Sequence, residues 1–223
     1  MSGTEVEVAE PIDEVRTARL AALRSKLGDA LVGSHIRTGD ELWIRVTADA
    51  WADTFRLLRE VHGCRFFNWL SAIDWLPSPY GREMDAEVDT ILSGKAPKDP
   101  EPMVSGYAGG DTRFQVFARV NNVAERWAII VKADVPDDTL TVPSIVPHYA
   151  GANWHERETH EMFGIGFAGH PDLRNIYLPT DFEGHPLRKD FPLLARIVKP
   201  WPGIVDVEPL PGEGDDGEGG GDE

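Results

Sequence analysis

The densest set of chemically capable side chains in this 223-residue sequence is His155-Glu156-Arg157-Glu158-Thr159-His160-Glu161. Imidazoles beside carboxylates are the ligands of a hydrolytic zinc ion. That chemistry uses His-Glu-x-x-His, because i and i+4 bring both rings to one helix face. Here the histidines stand five apart, about 140° around a helix of ~3.6 residues per turn. They cannot hold one ion without breaking the helix. Glu156 and His160 do share a face, and could form a two-ligand site or only a hydrogen-bonded pair; a third ligand would have to come from His170 or His185. The structural reading is the better one. Trp154, Glu158 and Glu161 lie roughly along one side, with Arg157 one turn before Glu161, so ion pairs can lace the helix. Such charges between apolar Trp154, Met162 and Phe163 mark a helix that docks against another subunit.

A second cluster, Gly184-His185-Pro186-Leu187-Arg188-Lys189-Asp190-Phe191-Pro192-Leu193, sets two cations and one acid between apolar anchors. Arg174 precedes it in Gly169-His170-Pro171-Asp172-Leu173-Arg174. Arginine forks with apolar plugs suit an anion or carboxylate clamp at an interface. Equally, Arg174 and Arg188 can pair with Asp172, Asp181 or Asp190 inside the chain. His170 and His185 each precede a proline, which holds them out of helical conformation and favours turn residues over general bases. Cys64 reads as a small core residue. No Gly-x-Ser-x-Gly elbow or nucleophile with a local base is present.

The elements that must carry these groups follow from periodicity. Ile12, Val15, Ala18, Ala22, Leu23 and Leu27 recur at helical spacing, with Gly28 to end the helix. Leu31–Arg37 and Glu41–Val46 alternate around Thr38-Gly39-Asp40 as a β-hairpin. Thr47 can cap a helix in which Trp51, Phe55, Leu58 and Val61 form one stripe, with Gly63 after it. Phe66–Trp75 suits a buried strand. Residues 77–111 are rich in Pro and Gly and read as an insertion or mobile loop. Arg113–Val120 and Arg126–Lys132 make a second hairpin around Asn121-Asn122. Beyond Val142, prolines interrupt a short helical stretch, and Asn153 stands as the N-cap of a firmer helix to Phe163, closed by Gly164. Residues 165–202 are too apolar for a free linker and too broken for a regular element, so they read as an extended arm laid on a surface.

The fold class expected is α+β. A single mixed sheet in α-β-β-α-β-β-β order carries helices on one face, and a helix and an extended C-terminal arm follow. The chain divides into an acidic flexible N-terminus (1–11), an α+β domain (12–141), the docking helix and arm (142–202) and an acidic tail (203–223). No glycine-rich nucleotide loop follows any strand, so nucleotide binding by that route is excluded.

Composition narrows the function further. Apolar residues make up 41% and charged residues 27%, enough for an ordinary core. The net charge is −16. It sits at the ends: 203–223 holds eight acids and 1–14 five, with no Lys or Arg in either. A Gly- and acid-rich tail cannot bury enough apolar surface to offset its ordering entropy, so 207–223 is expected to be disordered, a solubilising tail or, as the alternative, an electrostatic arm for a basic partner. The acidic balance argues against nucleic acid as a partner. One cysteine excludes an internal disulfide framework and a Cys-built zinc or iron–sulfur site. Nothing approaches ~18 consecutive apolar residues, and the acidic N-terminus lacks the pattern of a secretory signal.

From Asn153 onward the sequence resembles the thirty-kilodalton subunit family (the bacterial C subunit) of respiratory complex I, NADH:quinone oxidoreductase. The signature is carried by Glu156-Arg157-Glu158, Met162 to Ile165, Gly169 to Arg174 and Gly184 to Pro192, and Val142-Pro143-Ser144 agrees as well. Where the family usually has an aromatic and then Asp before Met-Phe-Gly, this chain has His160 and Glu161. Asn175 replaces a usual second arginine. The resemblance covers 12–200. It implies a non-catalytic structural subunit of the complex's peripheral arm, with no catalytic, cofactor-binding or metal residue of its own. FMN, iron–sulfur clusters, NADH and quinone would belong to the complex. Glu156, Arg157, Glu158, His170, Arg174, His185, Arg188, Lys189 and Asp190 would form an interface and structural signature. Partners would be the quinone-site subunit and the adjacent iron–sulfur subunit, at the cytoplasmic face of the cell membrane, with membrane contact only through the complex. The alternatives are the equivalent subunit of a membrane-bound hydrogenase or other-donor dehydrogenase, or a stand-alone metal-dependent hydrolase using Glu156, His160 and an arm histidine.

Overall fold

A computed structural model describes residues 13–77 and 102–191 of the chain. Helix α1 (Glu14–Leu27) is capped by Asp13, whose carboxylate accepts the Arg16 N–H at 3.0 Å. Gly28 ends it at φ +53°. Its inward face is not the apolar stripe expected. Val15, Ala18 and Ala22 are exposed, Leu23 is fully buried, and Arg19 lays its guanidinium 4.2 Å over the Trp127 ring. An arginine stem covers apolar surface as well as an alanine does, which rotates the helix by about one residue from the simple hydrophobic pattern. Ile12 lies outside the described residues.

Strands β1 (Leu31–Ile36) and β2 (Leu42–Val46) form the antiparallel hairpin. Helix α2 (Trp51–Glu60) follows, burying Trp51, Phe55 and Leu58. Thr47 does not cap it. The Ala50 N–H reaches the Thr47 carbonyl at 3.1 Å in a turn, and Ala50 is the N-cap without any side-chain bond. Val61 falls beyond the helix end and is 63% exposed. Strands β3 (Phe66–Asp74), β4 (Phe114–Asn122) and β5 (Trp127–Asp134) complete a five-stranded sheet in the order β1-β2-β5-β4-β3. Only the β2–β5 pairing is parallel. The β4–β5 turn is 123–126, because Asn121 and Asn122 still pair with Ala128 and Trp127. Asn122 uses its amide to hold the turn, accepting the Glu125 N–H at 3.0 Å.

Beyond this sheet, β6 (Thr141–Pro143), α3 (Ala152–Phe163) and β7 (Gly166–Ala168) form a unit in which the two short strands pair in parallel. Parallel strands need a crossover, and α3 is that crossover. The single sheet expected is therefore two. The boundary placed between 141 and 142 cuts through β6, and the arm begins as a paired strand. Helix α3 starts after Gly151, not Asn153, and ends at Gly164 in the left-handed region at φ +74°.

Alternate residues of β4 (Phe114, Val116, Ala118, Val120) and of β5 (Ile129, Val131, Ala133) face one core. All three helices contribute to it, through Leu23, Phe55 and Leu58, and Ala152 and Phe163. Val142, Ile145 and Tyr149 belong to the same cluster, so 142–168 is built into the domain. The opposite sheet face is covered by 105–111, part of the segment expected to be loose. Arg45 donates to the Ala108 carbonyl at 3.1 Å, and Gln115 Nε2 to the Gly109 carbonyl at 3.0 Å. A Cβ on Gly110 would collide with the Gln115 side chain, which is why the segment can lie so close. Residues 78–101 of that insertion, both acidic termini apart from Asp13 and Glu14, and 192–202 of the arm lie outside the described residues. No described helix is long and apolar enough to cross a membrane.

Candidate functional site: the stapled C-terminal arm

Two of the signature residues, His185 and Arg188, meet the end of α3. A helix leaves its last four carbonyls without intrahelical partners. Here every one is met. The His160 carbonyl takes the Gly164 N–H at 2.8 Å, and the Met162 carbonyl takes the Leu187 N–H at 3.1 Å. The Glu161 carbonyl takes His185 Nδ1 at 2.9 Å, and the Phe163 carbonyl takes Arg188 Nε at 2.6 Å. A carbonyl only accepts, so the His185 proton resides on Nδ1. The segment 184–188 is thus a tertiary cap, bound to the helix by main-chain geometry and two side chains. Arg188 also lies 5.1 Å from the centre of the Phe114 ring. Burial, then the nearby Arg113 charge, lower its pKa from the ordinary arginine value.

The charged residues of α3 do not pair along the helix; Glu156 fastens the turn before it, and Arg157 and Glu161 fasten the arm at 174–178. Glu156 is fully buried. Its carboxylate takes the Ser144 hydroxyl at 2.6 Å and the Ile145 N–H at 2.7 Å, tying the 144–146 turn to the helix. Burial pushes its pKa up to about 7 against these hydrogen bonds. Glu161 gathers the N–H groups of Ile176 (2.9 Å), Tyr177 and Leu178. Burial opposes its ionised form, but those three donors, with Arg157 nearby, leave its pKa below the ordinary value. Arg157 donates to the Arg174 carbonyl at 2.9 Å and the Asn175 carbonyl at 3.3 Å, and sits 5.3 Å over the Trp154 ring. Glu158 is half-buried and bonds to none of the described residues.

The far end of the arm is held by a residue that local sequence does not mark. Asp74, fully buried at the end of β3, receives Arg113 through two parallel bonds of 2.9 and 2.7 Å. It also accepts the Lys189 N–H at 2.8 Å. Arg113 reaches onward to Asp190 at 2.9 Å. That bond is the main reason the Asp190 pKa lies below its ordinary value, and the bonds to Asp74 and Asp190 raise that of Arg113. His170 is a turn residue. Its Nδ1 accepts the Asp172 N–H at 3.0 Å, leaving Nε2–H for the Asn153 carbonyl at 3.3 Å. Burial lowers its pKa. Arg174 is exposed and pairs with Asp172 at 3.1 Å.

A family model named the respiratory-chain NADH dehydrogenase 30 kDa subunit matches residues 44–196, a span that takes in every residue of this network. The chain belongs to that family. The C subunit of the NADH-quinone oxidoreductase of Roseiflexus castenholzii (strain DSM 13941 / HLO8) is 36% identical over 181 residues, covering 80% of this chain and 85% of that one. Its counterpart from Brucella abortus (strain 2308) is 35% identical over 175 residues, 78% of this chain and 71% of that one. A chain in the structure of the membrane-bound sulfane sulfur reductase, an archaeal respiratory membrane complex, superposes with a TM-score of 0.57. It is 22% identical and covers 82% of this chain and 88% of its own length, a likeness of fold alone.

Within this member of the 30 kDa family, the signature residues are distributed among the turn before α3, the arm and the end of β3, and Glu158 bonds to none of the described residues. Ser144, already part of the Val142-Pro143-Ser144 match, holds Glu156, whereas Asp74 and Arg113, which hold the far end of the arm, are not marked by the sequence. Asp74 and Arg113 are separated by thirty-nine positions, and no helical or strand period relates them. The only local sign is an acid terminating an aromatic strand. Glu156 is not placed as the hydrolase alternative requires, since both its oxygens are engaged in the core. Among the described residues no three His, Cys, Asp or Glu side chains converge as a metal site.

Proposed function

We propose that this chain acts as the C subunit of an NADH-quinone oxidoreductase, a structural component that carries no redox group and holds partner subunits in place for electron transfer from NADH to quinone. The observation that carries the reading is the arm already stapled to α3. Together α3 and the arm present Trp154, Tyr177 and Leu187, each more than half exposed, on a preformed surface. Pre-organised surfaces avoid the ordering cost of association. By the names of its relatives, the partners are other members of that complex. We take the quinone-site subunit and the adjacent iron–sulfur subunit as those that contact the arm, at the cytoplasmic face of the membrane. The complex would supply FMN, iron–sulfur clusters, NADH and quinone.

The shared fold with a component of the sulfane sulfur reductase favours one second reading, the equivalent subunit of a complex with a different electron donor. Affinity purification of the tagged chain from detergent-solubilised membranes, with mass spectrometry and NADH:quinone assay, separates the two. Co-purifying iron–sulfur and quinone-site subunits with NADH oxidation support the first. The same partners without NADH oxidation support the second, and a chain recovered alone overturns both.

A further inference from the structure

Glu158 is the signature acid without a partner among the described residues. The other two carboxylates of α3 are satisfied, Glu156 by Ser144 and Ile145, and Glu161 by the N–H groups of 176–178. Glu158 is half-buried and meets no such donor. The basic groups beside it are committed elsewhere. Arg157 donates to the Arg174 and Asn175 carbonyls, and His155 holds its Nδ1 3.1 Å from the Leu70 carbonyl. Arg157 against Glu158 and Glu161 leaves this side of the helix one positive charge short.

The setting of Glu158 is apolar and open. Trp154, one turn earlier on the same side, is 63% exposed. Met162 follows one turn later, and its carbonyl carries the N–H of Leu187, which is 52% exposed. Water solvates the carboxylate while this row stays uncovered. A partner that closes over Trp154 and Leu187 strips that water away. An ionised group buried without a counter-charge is strongly unfavourable, so the partner that covers the row must bring a cation to Glu158.

We infer that Glu158 is the charge-recognition point of the docking face. It pairs with an arginine or lysine side chain of a partner subunit, whose aliphatic stem lies along the Trp154 row. The inference rests on the assembly reading and adds the chemistry of the partner at that surface. The test uses the full-length tagged chain in membranes, as wild type, Glu158→Gln and Glu158→Lys. Assembled complex is quantified after solubilisation, and the purified chains are melted. Both variants should melt as the wild type does, since Glu158 makes no bond within the described chain. Glu158→Gln should lower the assembled fraction by more than about fivefold, the ceiling for a solvated surface pair, and Glu158→Lys should lower it further. A photo-activated benzophenone side chain at position 154 should cross-link to a partner peptide that contains an arginine or lysine. Replacing that residue by Glu should restore assembly of Glu158→Lys. A loss of less than fivefold in Glu158→Lys, a cross-linked peptide without a basic residue, or a cross-link within this chain would each overturn the inference. A wild-type chain recovered alone is a different failure, that of the assembly reading itself.

Discussion

Glu156 is the residue through which the stability of the fold should respond to pH. Held at about 7 against an ordinary 4.5, it keeps its proton in the fold after the unfolded chain has released its own. Stability therefore falls as pH rises from ~4.5 to ~7 and levels off above, by about 3 kcal/mol in all at ~1.4 kcal/mol per unit. Glu156→Gln reproduces the protonated form, accepting from Ile145 and donating to the Ser144 hydroxyl. Denaturant titrations across pH 5–8 should show that slope flattened in the variant, with stability at pH 8 no lower than wild type. Glu156→Ala strands the Ile145 N–H and leaves a void, at a cost of about 3 kcal/mol. An unchanged pH slope in Glu156→Gln would place the titrating group elsewhere.

At the level of elements, the arm and the helix end stabilise each other. Gly164→Ala forces a left-handed residue to carry a Cβ that would meet Arg188 and come within 2.6 Å of His185 Nε2. Strain alone costs ~1–2 kcal/mol. Hydrogen exchange should show the Leu187 amide losing protection while the amides of β4 and β5 keep theirs. Arg113→Ala leaves Asp74 buried without its cation, a loss of about 3 kcal/mol by the precedent of broken buried pairs. Its exchange signature should differ, reaching Lys189 and Asp190 first. Loss of protection throughout the sheet in either variant would mean that the arm is not a separable staple.

For the whole molecule the arm is where the domain is expected to meet its partners. Truncation after Phe182 removes His185, Leu187 and Arg188 and so uncaps three carbonyls of α3. The five-stranded sheet should still form, by circular dichroism and cooperative melting, while assembled complex and NADH:quinone activity in membranes fall at least several-fold. Normal assembly after truncation would remove the arm from the docking surface.

Much of this architecture was legible residue by residue. Alternation places Leu42, Ile44 and Val46, helical spacing places Trp51, Phe55 and Leu58, and Gly28 and Gly164 mark helix ends, because burial periodicity and backbone handedness are local properties. The spacing of the Gly-His-Pro triplets and of Glu-Arg-Glu was enough to indicate the family. Partner choice was not legible in the same way. Helical spacing pairs Arg157 with Glu161 one turn on, yet both turn outward from the helix to fasten 174–178, because main-chain groups stranded in a proline-rich arm are costlier to leave unmet than a solvated side chain. Asp74 meets Arg113 across adjacent strands and Lys189 from the arm, contacts that no local period encodes. Which face of α1 is inward, and that β6 and β7 pair across α3, likewise depend on surfaces brought together only when the chain folds.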